Sequence, residues 1–383
     1  MRILYAAIDQ MVPGSHGGAV HVTSVAEGLA ARGHEVHALV TRPSGRNDSN
    51  EGVHWHAMAP ALGLRQLRAL RAGAVTRLAD EIKPDVIMER YYNFGGEGIL
   101  AARRLGIFSV LEVNAPVIDY AGSPKALLDR ALLIQPMRRW REWQCSTADL
   151  IVTPSPKIIP PQVPASRILQ AEWGADTVRF HPGAGTRDEE SRDTVAVFVG
   201  AFRKWHGAIH LVEAIKRLRE RGRRDIRALF VGDGPELPAA RRAAEGLDGV
   251  RFVGALPHER VPQALAESHI GVAPFDVAEH PPLATDFYWS PLKVFEYMAS
   301  GLPVAAPRIP RLESIVRDGQ EGVLYDASAP LGLAAAIEQL ADPTLRGRLG
   351  QAARDRVVEH FSWARHCEQL DRAIQSARGH QVA

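Results

Sequence analysis

Late in the 383-residue chain, the run Ser290-Pro-Leu-Lys-Val-Phe-Glu296 gathers residue types able to hold a phosphorylated ligand. Ser290 is a good helix N-cap and Pro291 suits the first helical position, with Leu292 next in line. Val294, Phe295 and Met298 then supply an apolar stripe, and Gly301 followed by Pro303 ends the helix. A short helix begun by an irregular loop offers unpaired backbone N–H groups and a positive dipole end, a setting suited to a phosphate. Lys293 adds a cation in the first turn, where a cation is unfavourable unless an anion lies nearby. Glu296, one turn further in, is a carboxylate that can accept hydrogen bonds from two adjacent hydroxyls. An ordinary surface helix with an exposed Lys and Glu carries the same letters, so these two readings stand side by side.

A second cationic group stands in Gly200-Ala-Phe-Arg-Lys-Trp-His-Gly207, directly after the strand-like run 195–199. Arg203, Lys204 and His206 between glycines make a basic loop at the carboxyl end of a strand. The chemistry that wants such a loop is stabilisation of charge on a leaving diphosphate; a solvated loop is the alternative. A third group lies in the N-terminal half. Gly17 and Gly18 close a glycine-rich loop after the first strand, where backbone can approach an anion or a sugar; a tight turn explains them equally. Glu89, Arg90, Glu112 and Asn114 fall outside the carboxyl ends of two further strands, where α/β domains place ligands. An Arg90–Glu112 ion pair is the structural alternative.

The elements that must hold these groups alternate strand and helix. Strand 3–8, a loop, helix 19–32 and strand 36–40 begin a doubly wound α/β domain; the glycine spacing is not Gly-x-Gly-x-x-Gly. Residues 64–83 are expected as an amphipathic helix, with Leu64, Leu67, Leu70 and Leu78 opposed to Arg65, Arg68, Arg71 and Arg77. Such a basic face can touch a membrane or an anionic acceptor, though a solvated face is the commoner outcome. Residues 125–147 read as one long helical region, with Trp140 and Trp143 packing. Residues 183–193, small and charged, read as a linker. A second run of strands and helices starts at 195.

A chain of this length makes two domains, each with its own core. With 46% hydrophobic and 23% charged residues and a net charge of +2, it excludes a polyanionic partner such as nucleic acid as the default. Its two cysteines, Cys145 and Cys367, have no metal or redox spacing. The N-terminal apolar run is too short for a secretory signal and no run reaches membrane-span length, so a cytoplasmic protein is expected. No residue set is read as a metal site. Asp-x-Asp occurs nowhere, which favours protein cations over a metal-held diphosphate.

The stretch Ser290-Pro-Leu-Lys-Val-Phe-Glu-Tyr-Met-Ala-Ser-Gly-Leu-Pro-Val304 resembles the signature of retaining GT-B glycosyltransferases of family four. The resemblance implies two Rossmann-like doubly wound domains facing an interdomain cleft. An acceptor-binding domain would span 1–182, a linker 183–194 and a nucleotide-sugar domain 195–360, with helix 361–383 packing back on the first. In the family, two glutamates with seven residues between them bracket this loop. Glu296 matches the second, which holds the ribose; the first falls at Tyr288, so its contact with the donor sugar is absent or passes to a neighbour such as Asp286. Gly200, Ser290, Pro291 and Leu292 join the donor site by the same match. Arg203, Lys204 and Lys293 become the cations on the diphosphate. His206, at or next to the usual lysine position, becomes an auxiliary donor. Leu256 or Pro257 would offer backbone to the nucleobase. The Gly17–Gly18 loop would face the cleft, and the segment 172–182 resembles the one that closes the first domain, departing from it at Glu172 and Trp173. Many relatives carry a histidine where this chain has Asn114, so no catalytic histidine is carried over.

The implied activity is retaining transfer of a sugar from a UDP- or GDP-type donor to a hydroxyl acceptor, a small natural product or a glycan. No cofactor is needed, since the nucleotide sugar is a substrate, and the oligomeric state stays open. A catalytically silent nucleotide-sugar binder, or an epimerase or phosphorylase on the same fold, is the alternative.

Overall fold

A computed structural model describes the chain except for residues 15, 43–51, 118–123, 132–134, 186–192, 281–286 and 383. Asp286 and most of the expected linker lie outside the described residues. Among the described residues, runs of three to ten residues become thirteen strands in two sheets. The first sheet contains β1 (Arg2–Met11), β2 (Glu35–Thr41), β3 (Val53–Ala57), β4 (Val86–Arg90), β5 (Phe108–Glu112), β6 (Leu150–Thr153) and β7 (Ile168–Gln170), in the order β3-β2-β1-β4-β5-β6-β7. The second contains β8 (Thr194–Val199), β9 (Ile226–Val231), β10 (Val250–Gly254), β11 (Ile270–Val272), β12 (Val304–Pro307) and β13 (Gly322–Tyr325), in the order β10-β9-β8-β11-β12-β13. Among the described residues, every strand pairing is parallel. A parallel sheet has both faces covered by helices, which is why Ile3, Leu4, Tyr5, Ala6, Ala7 and Ile8 are all fully buried with no alternation.

In both sheets the strand order reverses beside the first strand, between β1 and β4 and between β8 and β11. Ligands of open α/β sheets bind outside the carboxyl ends at such a reversal. The glycine-rich loops that attracted notice in the sequence, ending at Gly18 and starting at Gly200, leave the carboxyl ends of β1 and β8.

The chain divides into two compact units. One comprises Met1–Trp173, Tyr288–Ser290 and Trp363–Ala383; the other comprises Gly174–Phe287 and Pro291–Ser362. The expected boundary at 182 is thus corrected to 173. Residues 174–182 belong to the second unit because Arg354 takes their carbonyls: its Nη1 donates to Phe180 O at 2.7 Å and its Nη2 to Thr177 O at 2.8 Å. Ala175 N also donates to Phe361 O at 2.9 Å, and Phe361 and Ser362 stay with this unit. The closing helix starts at Trp363.

Three further expectations are corrected. Residues 64–83 are not one amphipathic helix: two 3₁₀ turns, Ala61–Gly63 and Arg65–Arg71, precede a helix Ala72–Ile82. Arg68, placed on a solvated face, is fully buried, whereas Leu64 and Leu70, placed inward, are exposed. The cause is electrostatic, since Asp9, Glu89 and Glu97 surround the Arg68 guanidinium and turn that face of the segment inward. The region 125–147 is two helices, Pro124–Ala131 and Pro136–Thr147; Pro136 has no N–H to continue the first and suits the start of the second. The helix expected from Ser290 begins at Leu292, with Pro291 in the cap position and no side-chain cap.

Candidate active site

Lys293 and Glu296 sit on the eight-residue helix Leu292–Ala299 of the second unit. Its position is fixed by Tyr297, one residue further on. The Tyr297 hydroxyl accepts from Val199 N at 2.8 Å and donates to Val272 O at 3.3 Å, tying the helix to the ends of β8 and β11. Gly271 makes room for this ring: a Cβ there would lie 2.5–2.6 Å from Tyr297 atoms. With the helix held there, Lys293 reaches back under the loop that leaves β8. Its Nζ stands 4.3 Å from the centre of the Phe198 ring and 5.1 Å from that of Phe275, and has no hydrogen-bond partner among the described residues. Burial pushes the amine down to about 7, while Glu296 works in the other direction. A charged lysine held only against aromatic faces gains little for its lost hydration.

Gly200 completes this arrangement. Its φ of +146° favours glycine, and an added Cβ would sit 3.0 Å from Lys293 Nζ and 3.5 Å from His206 Nδ1. The missing side chain therefore leaves amine, imidazole and bare backbone around one small space. His206 Nδ1 is likewise buried without a partner. Burial, and then the Lys293 charge, push this imidazole down to about 2, so it is neutral. Arg203 and Lys204, by contrast, are exposed, and Lys204 Nζ lies 3.9 Å from Glu279. Of the three cations expected together, the structure puts Lys293 with Gly200 and His206 and leaves the other two at the surface of the same loop.

Glu296 is buried, and His258 Nε2 donates to its Oε1 at 3.3 Å. His258 follows Leu256 and Pro257 on the loop after β10, half-buried and exposed respectively; its Nδ1 is 3.2 Å from Arg179 Nη1. The loop singled out for the base thus supplies a histidine to the ribose candidate. Sequence reasoning missed His258, although a histidine beside Pro257 at the carboxyl end of a strand was the available signal.

Ser290 and Tyr288 pack with the first unit. Ser290 is a partner of Trp173 and Glu172: its Oγ accepts from Trp173 N at 3.0 Å and donates to Glu172 at 2.9 Å. That replaces the expected capping role. Tyr288 is buried.

The acceptor candidates of the first unit separate into two kinds. Glu89 is fully buried, and its carboxylate accepts from Gly96 N at 2.6 Å, Gly98 N at 2.8 Å and Ile99 N at 3.0 Å, capping the helix Glu97–Leu105. Glu112 is buried too, taking a hydrogen bond from Tyr5 and one at 3.0 Å from His21 Nε2. Burial alone would raise the Glu112 pKa, yet His21 and the hydrogen bonds hold it below the usual carboxylate range. Both are corrected to structural groups, and no Arg90–Glu112 pair forms: Arg90 instead faces Asp9 at 3.4 Å. Gly17, Gly18, Arg90 and Asn114 remain around the start of the helix Gly17–Ala31. A Cβ on Gly18 would lie 3.5 Å from Arg90, and one on Gly17 3.8 Å from Trp173. Trp173 Nε1 in turn donates to Asn114 Oδ1 at 3.2 Å, while Asn114 Nδ2 is buried without a partner among the described residues.

Residues 15–159 match the model of Glycosyltransferase Family 4, and residues 193–342 that of Glycosyl transferases group 1. A D-inositol 3-phosphate glycosyltransferase of Corynebacterium diphtheriae is 30% identical over 98% of this chain and 93% of its own. The chain belongs to glycosyltransferase family 4. This family-4 protein is also 26% identical to a GDP-mannose-dependent alpha-mannosyltransferase of Corynebacterium glutamicum, over 97% of the chain and 87% of the relative. Its fold is that of sucrose-phosphate synthase from Thermosynechococcus elongatus, with a TM-score of 0.74 at 21% identity, covering 99% of each chain. The two-sheet GT-B architecture expected from the sequence is therefore the observed one, and the protein is a glycosyltransferase using a nucleotide-sugar donor. Among the described residues, no helix is long and apolar enough to cross a membrane.

Proposed function

We propose that this family-4 enzyme transfers a sugar with retention from a UDP- or GDP-type donor to a hydroxyl acceptor, without a metal on the diphosphate. The observation that carries the reading is Lys293, a buried amine with no hydrogen-bond partner among the described residues, beside the bare backbone of Gly200. As the glycosidic bond breaks, its electron pair passes to the departing phosphate oxygen. An ammonium and the first N–H groups of the helix Leu292–Ala299 stabilise that charge more in the transition state than before it. Arg203 and Lys204, exposed on the same loop, add long-range attraction. Glu296, oriented by His258, accepts the two ribose hydroxyls, and the backbone around Leu256 and Pro257 takes the base. The acceptor hydroxyl attacks from the face the leaving group vacates, and its proton goes to the phosphate oxygen. Gly17, Gly18, Arg90 and Asn114 line the acceptor side. The GDP-mannose and inositol-phosphate relatives support a phosphorylated or polyhydroxylated partner on each side of the reaction.

The test is turnover with UDP- and GDP-sugars in excess chelator, with the product anomer read by NMR. Activity with the anomeric configuration of the donor is expected; loss of turnover restored by magnesium or manganese, or an inverted product, would overturn the reading. Tyr288 in place of the family's first glutamate favours a second reading, a silent nucleotide-sugar binder. Donor binding with neither transfer nor slow donor hydrolysis would establish it.

A further inference from the structure

Strands β2 and β3 place four metal-ligating side chains on one face of the first sheet's edge. Along a strand, residues two apart share a face, and directly paired residues of neighbouring strands point the same way. Glu35 and His37 alternate on β2, His54 and His56 on β3, and the register sets His37 opposite His54 and Leu39 opposite His56. The rings gather accordingly. His37 and His54 stack with centres 4.7 Å apart, and His37 and His56 at 5.2 Å. His37 Nδ1 and His56 Nε2 are 2.9 Å apart, and His37 Nε2 is 3.0 Å from Glu35 Oε1. One donor atom each from Glu35, His37 and His54 falls within 4.8 Å of the others. Glu35 Oε2 is held at 2.9 Å by Arg2, which fixes the carboxylate and leaves Oε1 turned to His37.

Three imidazoles crowded on a sheet edge are an awkward structural device. Between His37 Nδ1 and His56 Nε2, 2.9 Å apart, only one proton fits, so at least one ring turns a bare lone pair towards its neighbour. A divalent cation removes the conflict, because neutral imidazoles become ligands and the carboxylate balances the charge. We propose that Glu35, His37, His54 and His56 form a binding site for a divalent transition-metal ion of the zinc class. Three nitrogens and one oxygen suit zinc at bond lengths of about 2.0–2.2 Å. Glu35, His37 and His54 form the preassembled part of this set; His56, which faces the other ring nitrogen of His37, joins as the fourth ligand by turning its ring. The ion would join the edge strand β3 to β2 across residues 42–52, so that its binding energy stabilises the outermost pairing of the sheet. The site stands apart from the leaving-group chemistry proposed above and needs none of its residues.

The experiment uses the full chain without a polyhistidine tag, stripped with chelator. Cobalt(II) serves as the spectroscopic probe, and zinc affinity is read by competition with a chromophoric chelator. One equivalent of cobalt should bind and give the intense visible bands of a four-coordinate site, and equimolar zinc should abolish them. His54→Ala, at an exposed position, and Glu35→Gln should each weaken zinc binding tenfold or more, and His37→Ala with His54→Ala together at least a hundredfold. Unchanged thermal unfolding of the metal-free Glu35→Gln and His54→Ala proteins keeps the comparison one of ligands, not of folding. Absence of one-equivalent binding, octahedral cobalt bands only, or wild-type affinity in both single variants would overturn the proposal.

Discussion

Arg68 in the first unit and Lys293 in the second are both buried cations, and their surroundings are opposite. Arg68 has three carboxylates. It bonds to Asp9 and to Glu97, and it lies 3.7 Å from Glu89. Lys293 has two aromatic faces and, among the described residues, no hydrogen-bond acceptor. A buried charge must be compensated by something. Where the fold supplies the compensation, the charge holds structure together; where the fold supplies none, a ligand of opposite sign has to. The difference separates a stabilising cation from a binding one without reference to conservation.

The comparison can be broken by mutation. Arg68→Ala should cost about 3–5 kcal/mol of unfolding free energy, because it strands buried carboxylates, and should leave nucleoside-diphosphate affinity unchanged. Denaturant titration and calorimetric binding read the two halves of that statement; a fully stable variant would place Arg68 with the binding groups instead. Lys293→Ala should do the reverse. Its kcat should fall about a hundredfold or more, the scale for losing one preorganised charge donor, with no loss of stability. If Lys293→Ala unfolds the protein and keeps its turnover when folded, the contrast between the two cations fails.

Smaller effects sharpen the same contrast. Glu296→Ala should weaken donor binding by about 1.5–3 kcal/mol, the range for charge-assisted hydrogen bonds, and equal donor affinity in a folded variant would remove Glu296 from the ribose. The last effect is a proton. With Lys293 pushed down to about 7 by burial, the free enzyme at pH 8 holds this amine mostly neutral, and a diphosphate beside it restores the charge. Binding at pH 8 should therefore take up close to one proton, visible as a dependence of calorimetric heat on buffer ionisation enthalpy, and at pH 6 almost none. The same shift acts on stability. Between about 7 and 10.5, the ordinary value of a lysine amine, the unfolded chain binds a proton that the folded one does not, so this group makes stability rise with pH across that window. Lys293→Met should remove both signals; if the uptake survives, another group carries it.

The fold was legible because parallel strands announce themselves as apolar runs, and because glycines and prolines mark their ends. The helix carrying Lys293 and Glu296 was legible as well, within two residues of its start. What escaped the sequence was the choice of partner. Arg68 has the spacing of a surface arginine, and only the convergence of β1, β4 and the helix Glu97–Leu105 shows that three carboxylates claim it. Glu89 and Glu112 had the right address at strand ends but were taken by backbone N–H groups and by His21. His258 and the β3 histidines went unread for a related reason: each gains meaning from a residue distant in the chain, Glu296 in one case and His37 in the other.

The closing helix Trp363–Val382 has a consequence for how the molecule is made. Its Trp363, Cys367, Leu370 and Ile374 are buried, and the Cys367 side chain packs where Gly28 lacks one, so part of the first unit's core is encoded after the whole of the second unit. The second unit is complete once residue 362 has left the ribosome. The first unit, although most of it is synthesised before the second, keeps an uncovered apolar face on its helix Gly17–Ala31 until Trp363–Val382 emerges. The order of translation and the order of completion are thus reversed, and a nascent chain stalled anywhere before Trp363 presents that face to chaperones.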